Sequence, residues 1–233
     1  LKGIPALTRI VHLADGGVSI GACAPMSDVV ADPVVAGSFP ALVACVSEVG
    51  AWPLRNRATL GGNLCNASPA ADSTPALLAL EAEVRVQGPG GSRTIAVADL
   101  ATGPGRTSMA ADELLVEVVL PGRTAGFAAA YERMSRRRGM DLATLAVLVA
   151  KGPGPAPAWR VSLVAVAPTC VRATEAEAIL AAEGVAGAAR AAAAARAAAR
   201  PISDIRGTAD YRAGMVEVLT ERAAGRLANG EGR

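Results

Sequence analysis

The sequence predicts an α+β fold built from two domains. Residues 83–87 and 93–97 alternate apolar and polar side chains around a Gly-Pro-Gly-Gly turn, a pattern typical of a β-hairpin. Apolar residues recur at helical spacing over residues 40–49, and a glycine follows as a helix stop. Residues 186–200 are nearly all Ala with interspersed Arg, which strongly favours a helix. With 52% hydrophobic residues in 233, the chain can bury a sizeable core.

The first third of the chain predicts two strands and a short helix before the helix at 40–49. The strands lie at residues 8–13 and 18–22, and an Asp-Gly-Gly turn separates them. The short helix covers residues 25–30, where Ser27 or Asp28 can serve as the N-cap.

Residues 55–72 form the only segment in which the particular residues, and not only the hydropathy pattern, indicate a chemical function. Gly61 and Gly62 predict a tight turn, because glycine lacks a Cβ and tolerates positive φ. Free N–H groups in such a turn form a concave donor site for an anion, to which Thr59 and Asn63 add side-chain hydrogen bonds. The simpler interpretation is a Gly-Gly-Asn turn that leads into a capped helix.

The residues after this turn predict the start of a helix. Ser68 is suited to the N-cap and Pro69 to the first helical position. A helix N-terminus that follows a glycine turn favours phosphate binding. Asp72 is a natural acceptor for sugar or polyol hydroxyl groups.

A strand at residues 113–121 is the last element before the pattern changes. It contains Leu115, and a leucine in a strand is most simply a core residue. Residues 122–126 follow Pro121, consist mostly of Gly and polar residues and lack periodicity, so they predict a domain boundary. We therefore place the two domains at residues 1–121 and 122–233.

The second domain begins with strand patterns and ends with helical ones. We expect its strands to form a small antiparallel sheet and its helices to follow that sheet in the chain. The predicted strands cover residues 127–135, 142–150 and 159–168, and the predicted helices cover residues 174–182, 186–200 and 208–227.

Charge, cysteine spacing and hydropathy exclude several classes of protein. The net charge is +2 and no basic stripe alternates with aromatic residues, so we predict no nucleic-acid partner. The four cysteines are scattered without a C-x-x-C pair, which predicts free cytoplasmic thiols and no iron–sulfur, zinc or disulfide site. No segment reaches the ~20 apolar residues of a membrane span. No triad, paired carboxylates or metal-ligand cluster predicts a catalytic residue.

The glycine-containing string resembles the second flavin-pyrophosphate loop of one family. This is the FAD-binding medium subunit of the molybdenum hydroxylases, of the xanthine dehydrogenase and carbon monoxide dehydrogenase type. The family pattern is Arg-Asn-x-x-Thr-(Ile/Leu)-Gly-Gly-Asn, followed by Ala-(Ser/Asp)-Pro-x-x-Asp. The residues that match it in order and spacing are Arg55-Asn56, Thr59 to Asn63, Ala67-Ser68-Pro69 and Asp72.

The resemblance implies a fold, a cofactor and a set of binding residues. The fold is a partial FAD-binding domain, vanillyl-alcohol-oxidase-like, followed by a small C-terminal domain with an antiparallel sheet and helices. The cofactor is FAD, with backbone amides on its pyrophosphate, Asp72 on the ribityl or ribose hydroxyls and Leu115 beside the ring. The residues that the resemblance places on the pyrophosphate are Thr59, Leu60, Gly61, Gly62 and Asn63.

The resemblance also implies a function within a complex. The chain is an oxidoreductase subunit that is not self-sufficient: it passes electrons from [2Fe–2S] clusters to FAD and on to NAD⁺ or another acceptor. Its partners are a molybdopterin-binding large subunit and a [2Fe–2S] small subunit in the cytoplasm. Two alternatives are a flavin-free interaction subunit or truncated remnant that docks partner subunits, and an unrelated two-domain α+β binding protein. The substrate is chosen in another chain.

Two departures from the family pattern accompany the resemblance. We find no counterpart of the family's first pyrophosphate loop, an Ala-Gly-Gly-Thr type string, so we expect the chain to be N-terminally truncated and to lack the first subdomain. Glu132 replaces a lysine that the family often has. The basic residues 136–138 and Asp141 resemble a family segment near the isoalloxazine edge.

Overall fold

The computed structural model describes residues 1–137 and 140–231. The N-terminal unit, which runs from β1 to β7, contains a five-stranded antiparallel sheet in the order β1-β2-β7-β3-β4, a two-stranded β5-β6 ribbon and several short helices. Its elements in chain order are β1 (Ile10–His12), β2 (Val18–Gly21), α1 (Met26–Ala31), α2 (Pro33–Ser38), α3 (Pro40–Ser47), α4 (Trp52–Arg55), α5 (Leu60–Cys65), α6 (Thr74–Ala79), β3 (Glu83–Gly88), β4 (Gly91–Ala96), α7 (Val97–Leu100), β5 (Ala101–Gly103), β6 (Arg106–Thr107) and β7 (Leu114–Leu120).

Strand β7 is the central strand of this sheet, between β2 and β3. Its pairing places Val18 opposite Leu120 and Val84 opposite Val118, and all four side chains are fully buried. Cross-strand neighbours share one face of a sheet, so these pairs define the apolar face. Buried residues of helices α1, α3 and α6 belong to the same core as this face, and Phe39 is the largest fully buried side chain in that core.

The C-terminal unit, which runs from β8 to α10, is a four-stranded antiparallel sheet in the order β11-β10-β9-β8, followed by three helices. A short 3₁₀ turn at Gly122–Thr124 leads into it. Its elements are β8 (Ala128–Met134), β9 (Leu145–Lys151), β10 (Trp159–Val164), β11 (Val171–Arg172), α8 (Thr174–Glu183), α9 (Ala188–Ala198) and α10 (Ala209–Ala228).

Both faces of the C-terminal sheet are covered. On β9, Leu148 and Ala150 belong to the core of the N-terminal unit, whereas Val147 and Val149 belong to the core beneath α8, α9 and α10. Successive residues of a strand point to opposite faces, which explains why the run Leu145–Lys151 is apolar without alternation. The sheet therefore joins the two cores.

Helix α9 lies between α8 and α10, and its alanines allow the close approach. Their small side chains are buried at five positions, so this helix contributes to the core more than its composition alone predicts. The buried positions are Ala188, Ala191, Ala192, Ala194 and Ala195.

The structure confirms the α+β class and corrects one capping prediction. Helix α1 begins after Pro25 without a side-chain cap, so neither Ser27 nor Asp28 fills that role. The backbone N–H of Met26 instead donates to the Ala58 carbonyl at 2.8 Å. The carboxylate that caps a helix in this region is that of Asp32, which is the N-cap of α2.

The C-terminal sheet also contains a fourth strand, β11, that the sequence pattern did not indicate.

Among the described residues, one helical run, Thr174–Ala198, is long and apolar enough to cross a membrane by length and composition. A 3₁₀ turn at Gly184–Gly187 divides the run into α8 and α9, and Gly184 has a positive φ of 60°. The alanine face of α9 contributes to the C-terminal core, which accounts for the apolar composition of the run.

Candidate functional site

The Gly-Gly pair lies in the first turn of helix α5, and the prediction of a tight turn with positive φ is wrong. Thr59 is the N-cap: its Oγ1 accepts a hydrogen bond from the backbone N–H of Gly62 at 3.0 Å. The Thr59 carbonyl accepts from the N–H of Asn63, also at 3.0 Å. A capped helix start needs no left-handed residue, because the cap satisfies the N–H groups that lack a partner within the helix.

The two glycines have different surroundings. A Cβ on Gly61 would lie 2.6 Å from the Ala22 carbonyl oxygen and 2.7 Å from the Ala22 Cβ. A Cβ on Gly62 would meet, among described atoms within 4 Å, only the Thr59 Oγ1 at 3.1 Å. Gly61 therefore permits close packing of α5 on the segment after β2. Gly62 leaves open space on the outer side of the helix.

The outer face of α5 is exposed at successive turns. Gly62, Cys65 and Asn66 are exposed, whereas Leu60 and Leu64 are buried in the N-terminal core and α5 lies against β7. Cys65 is thus exposed, whereas a free cysteine is usually buried in the core. Partial burial raises the pKa of the Cys65 thiol above its usual value, so the group stays protonated at neutral pH.

The segment after α5 does not begin a helix at Ser68, which corrects the second capping prediction. Ala67 has a positive φ of 45°, which turns the chain, and the Ser68 hydroxyl accepts from the N–H of Ala70 at 3.3 Å. Such a local side-chain bond competes with helix formation. The next helix, α6, begins at Thr74. Asn63 reaches this segment, because its Oδ1 accepts from the Ser73 hydroxyl at 2.6 Å.

Asp72 is a buried residue of this segment, and its carboxylate is hydrogen-bonded to two side chains of the C-terminal unit. Its Oδ1 accepts from the Tyr131 hydroxyl at 2.7 Å and from Arg133 Nε at 2.9 Å. The Asp72 and Arg133 side chains are only 8% and 9% exposed. Burial raises the pKa of Asp72 above its usual value, and the hydrogen bonds from Arg133 and Tyr131 oppose that rise.

Leu115 lies on β7, opposite Val86, and is 3% exposed within the N-terminal core. Helix α5 packs against the same strand, so the structure brings Leu115 and the Gly-Gly pair to neighbouring elements. Contact between Leu115 and a flavin ring stays a prediction.

No sequence pattern indicates Tyr131 and Arg133 as partners of Asp72, because they lie 59 and 61 positions away in the chain. Glu132, on the other face of β8, accepts from Arg226 of α10 at 2.7 Å, so the departure from the family's lysine is accommodated by an ion pair. Of the basic segment, Arg136 pairs with Asp141 at 3.4 Å, and Arg138 lies outside the described residues.

Comparison with known proteins places this chain in a family. The model of an FAD binding domain in molybdopterin dehydrogenase matches residues 1–123, and that of the CO dehydrogenase flavoprotein C-terminal domain matches residues 129–227. The chain belongs to the FAD-binding medium subunits of the molybdenum hydroxylases. The medium subunit of nicotine 6-hydroxylase from Paenarthrobacter nicotinovorans is 35% identical over 225 residues, which is 95% of this chain and 78% of that subunit.

Solved structures agree with this medium-subunit assignment. The chain superposes on carbon monoxide dehydrogenase from Hydrogenophaga pseudoflava with a TM-score of 0.90 and 32% identity, covering 97% of this chain and 79% of that one. It superposes equally well, at 0.90 and 29% identity, on quinoline 2-oxidoreductase from Pseudomonas putida 86, covering 99% and 81%.

The medium subunit carries FAD as its cofactor, and helix α5 fits that group. Gly62 leaves the outer side of the first turn open, and a bulky phosphate can approach the backbone only where no side chain intervenes. Thr59 fixes the position of this turn through its cap. Among the described residues, no group of three or more His, Cys, Asp or Glu side chains can hold a metal ion.

Proposed function

We propose that this chain is the electron-transfer subunit that binds FAD in a molybdenum hydroxylase complex. The observation that carries the proposal is the open, capped N-terminus of α5 within a chain that matches both domains of the medium subunit. Bound FAD supplies the redox chemistry, and the protein holds and orients it.

Each site residue has a part in this proposal. The first turn of α5, residues 59–63, holds the pyrophosphate, and the N–H groups of Leu60 and Gly61 are the donors, because those of Gly62 and Asn63 already donate to Thr59. Thr59 orients this turn, Gly61 allows it to pack against Ala22, and Gly62 leaves room for the phosphate. Leu60 anchors the helix in the core, and Asn63 ties it to Ser73. Asp72 accepts from ribityl or ribose hydroxyls, and Leu115 lies beside the ring.

The partners in this proposal are a molybdopterin-binding large subunit and a [2Fe–2S] small subunit. The names of the relatives support it: they are medium subunits, medium chains or a subunit of a dehydrogenase complex. Electrons reach this subunit from the iron–sulfur partner and leave it for NAD⁺ or another acceptor. Four free cysteines are compatible with a complex in the cytoplasm.

The test is purification of the tagged chain from its own cells, followed by measurement of flavin, iron and molybdenum per chain. We expect one FAD, about four iron atoms from two [2Fe–2S] clusters and molybdenum in the same complex. A complex with iron and molybdenum but no flavin would instead identify a flavin-free docking subunit. A chain that purifies with flavin and without either metal would contradict the proposed partners.

A further inference from the structure

We propose that Arg133 and Tyr131 are positioning residues for FAD, because they hold the Asp72 carboxylate in the orientation that presents one oxygen to the cofactor. This inference rests on the proposed function. It assigns a role in cofactor binding to strand β8 of the C-terminal unit. All the residues predicted from the sequence to bind the cofactor lie earlier in the chain, in the N-terminal unit.

The two oxygens of Asp72 are not equivalent. Oδ1 accepts two short hydrogen bonds, from the Tyr131 hydroxyl at 2.7 Å and from Arg133 Nε at 2.9 Å. Oδ2 receives a single long contact of 3.5 Å from Arg133 Nη2. An ionised carboxylate can accept about four hydrogen bonds in total. Oδ2 therefore retains most of its capacity to accept from a hydroxyl group of a ligand.

Arg133 is itself held in place. Its Nη2 donates to the Asp141 carbonyl in a short contact, and its side chain is 9% exposed. Tyr131 and Arg133 are alternate residues of β8 and lie on the same face, so one strand supplies both donors. A carboxylate held by two donors loses little conformational freedom when a ligand binds, and this preorganisation favours affinity.

A second ion pair between the two units provides a matched comparison. Arg160 of β10 donates to Glu81 at 2.6 Å, and its side chain is 19% exposed. Arg172 of β11 and Arg123 also lie near Glu81, at 3.8 and 3.3 Å. This pair contributes to docking of the two units, but Glu81 is not among the residues proposed to bind FAD. Loss of Arg160 therefore reports the effect of docking alone.

The experiment measures the dissociation constant of FAD for the full chain by flavin fluorescence, together with the visible circular dichroism of the bound flavin. We expect Arg133→Gln to weaken FAD binding about tenfold, because a charge-assisted hydrogen bond that fixes Asp72 is lost. Arg133→Lys should restore part of the affinity. Arg160→Gln should lower the melting temperature and leave both the dissociation constant and the circular dichroism unchanged.

A double-mutant cycle shows whether Arg133 acts through Asp72. Asp72→Asn alone should weaken binding, and adding Arg133→Gln to Asp72→Asn should weaken it no further. The double variant removes both charges, so no unpaired charge stays buried. Tyr131→Phe removes one donor and no charge, and it should weaken FAD binding less than Arg133→Gln does.

The outcomes separate this inference from the proposed function. If Arg133→Gln and Arg160→Gln change the FAD dissociation constant equally, or if the effects of Asp72→Asn and Arg133→Gln are additive, the positioning role is overturned while FAD binding stands. If the unsubstituted chain binds no FAD, the proposed function fails and the inference fails with it. A weakening specific to Arg133 that disappears in the Asp72→Asn background supports the inference.

Discussion

At the scale of single residues, two adjacent glycines have different tasks. Gly61 lies where any side chain would collide with Ala22, whereas, among the described residues, a Cβ on Gly62 would meet only the Thr59 Oγ1, at 3.1 Å. The fold therefore requires a glycine at position 61, and we propose that the cofactor requires one at position 62. The sequence alone cannot make this distinction, because the two residues are identical and only their neighbours differ.

We predict that Gly61→Ala destabilises the fold. The new methyl group would lie 2.6 Å from the Ala22 carbonyl oxygen, a backbone atom that cannot move aside cheaply. Overpacking of this kind costs about 1–3 kcal/mol. Urea denaturation should show the loss in the free energy of unfolding. Gly62→Ala is the matched control and should leave that free energy within about 1 kcal/mol of the original, because an alanine favours a helix more than a glycine does. Equal losses in both variants would contradict the distinction.

At the scale of elements, the helix that holds the motif was not foreseeable from local preference. The segment Leu60–Cys65 contains two glycines and an asparagine, all of which disfavour a helix. The Thr59 cap and the packing of Leu60 and Leu64 in the core override that preference. The matched family string led to the correct family, and its placement of the cofactor at this turn stays a prediction. The local conformation of the string depended on contacts with β7 and Ala22 that lie far away in sequence.

Helix α9 allows a direct test of tight packing. Ala195 is fully buried between neighbouring helices, and Ala193 on the same helix is exposed. Ala195→Leu should lower the free energy of unfolding by about 1–3 kcal/mol, because a well-packed core has no space for three more carbons. Ala193→Leu changes the composition in the same way at the surface and should have an effect within about 0.5 kcal/mol. Thermal denaturation of the two variants measures both effects, and a stable Ala195→Leu protein would contradict close packing of α9.

The hairpin of β3 and β4 predicts a pH dependence. Arg93 donates to both oxygens of Glu113 at 2.6 and 2.7 Å, and the N–H of Ala110 donates to the same carboxylate at 2.7 Å. These bonds lower the pKa of Glu113 from 4.5 to about 2. Because the folded pKa is lower than the unfolded one, the stabilisation is present above pH 4.5 and is lost as the pH falls towards 2.

The test of this pH dependence compares melting temperatures of the original chain and Glu113→Gln from pH 6 to pH 2. The difference between the two proteins should be largest above pH 4.5 and should vanish near pH 2. A constant difference in melting temperature over that range would show that ionisation of Glu113 does not contribute to stability.

At the scale of the whole molecule, two acidic residues of the N-terminal unit form ion pairs with arginines of the C-terminal unit across a shared apolar interface. Asp72 pairs with Arg133 before α6 begins, and Glu81 pairs with Arg160 and Arg172 just after α6 ends. The apolar strand patterns predicted the C-terminal sheet, but they did not predict that its two faces serve two cores. That arrangement depends on long-range pairing, so the partners of Asp72 could not be read from spacing alone.

We propose that the first turn of α5 holds the pyrophosphate of FAD. The most direct measurement is the visible absorption spectrum of the purified full chain titrated with FAD, for the original protein and for Gly62→Val. Gly214→Val is the control, since Gly214 is an open helical glycine of α10 far from this turn in the chain.

We predict that Gly62→Val raises the FAD dissociation constant at least about tenfold, because the branched side chain fills the space above the turn. Gly214→Val should bind FAD like the original chain, and circular dichroism should show both variants folded. FAD binding by a folded Gly62→Val protein with unchanged affinity would contradict the placement of the pyrophosphate at α5.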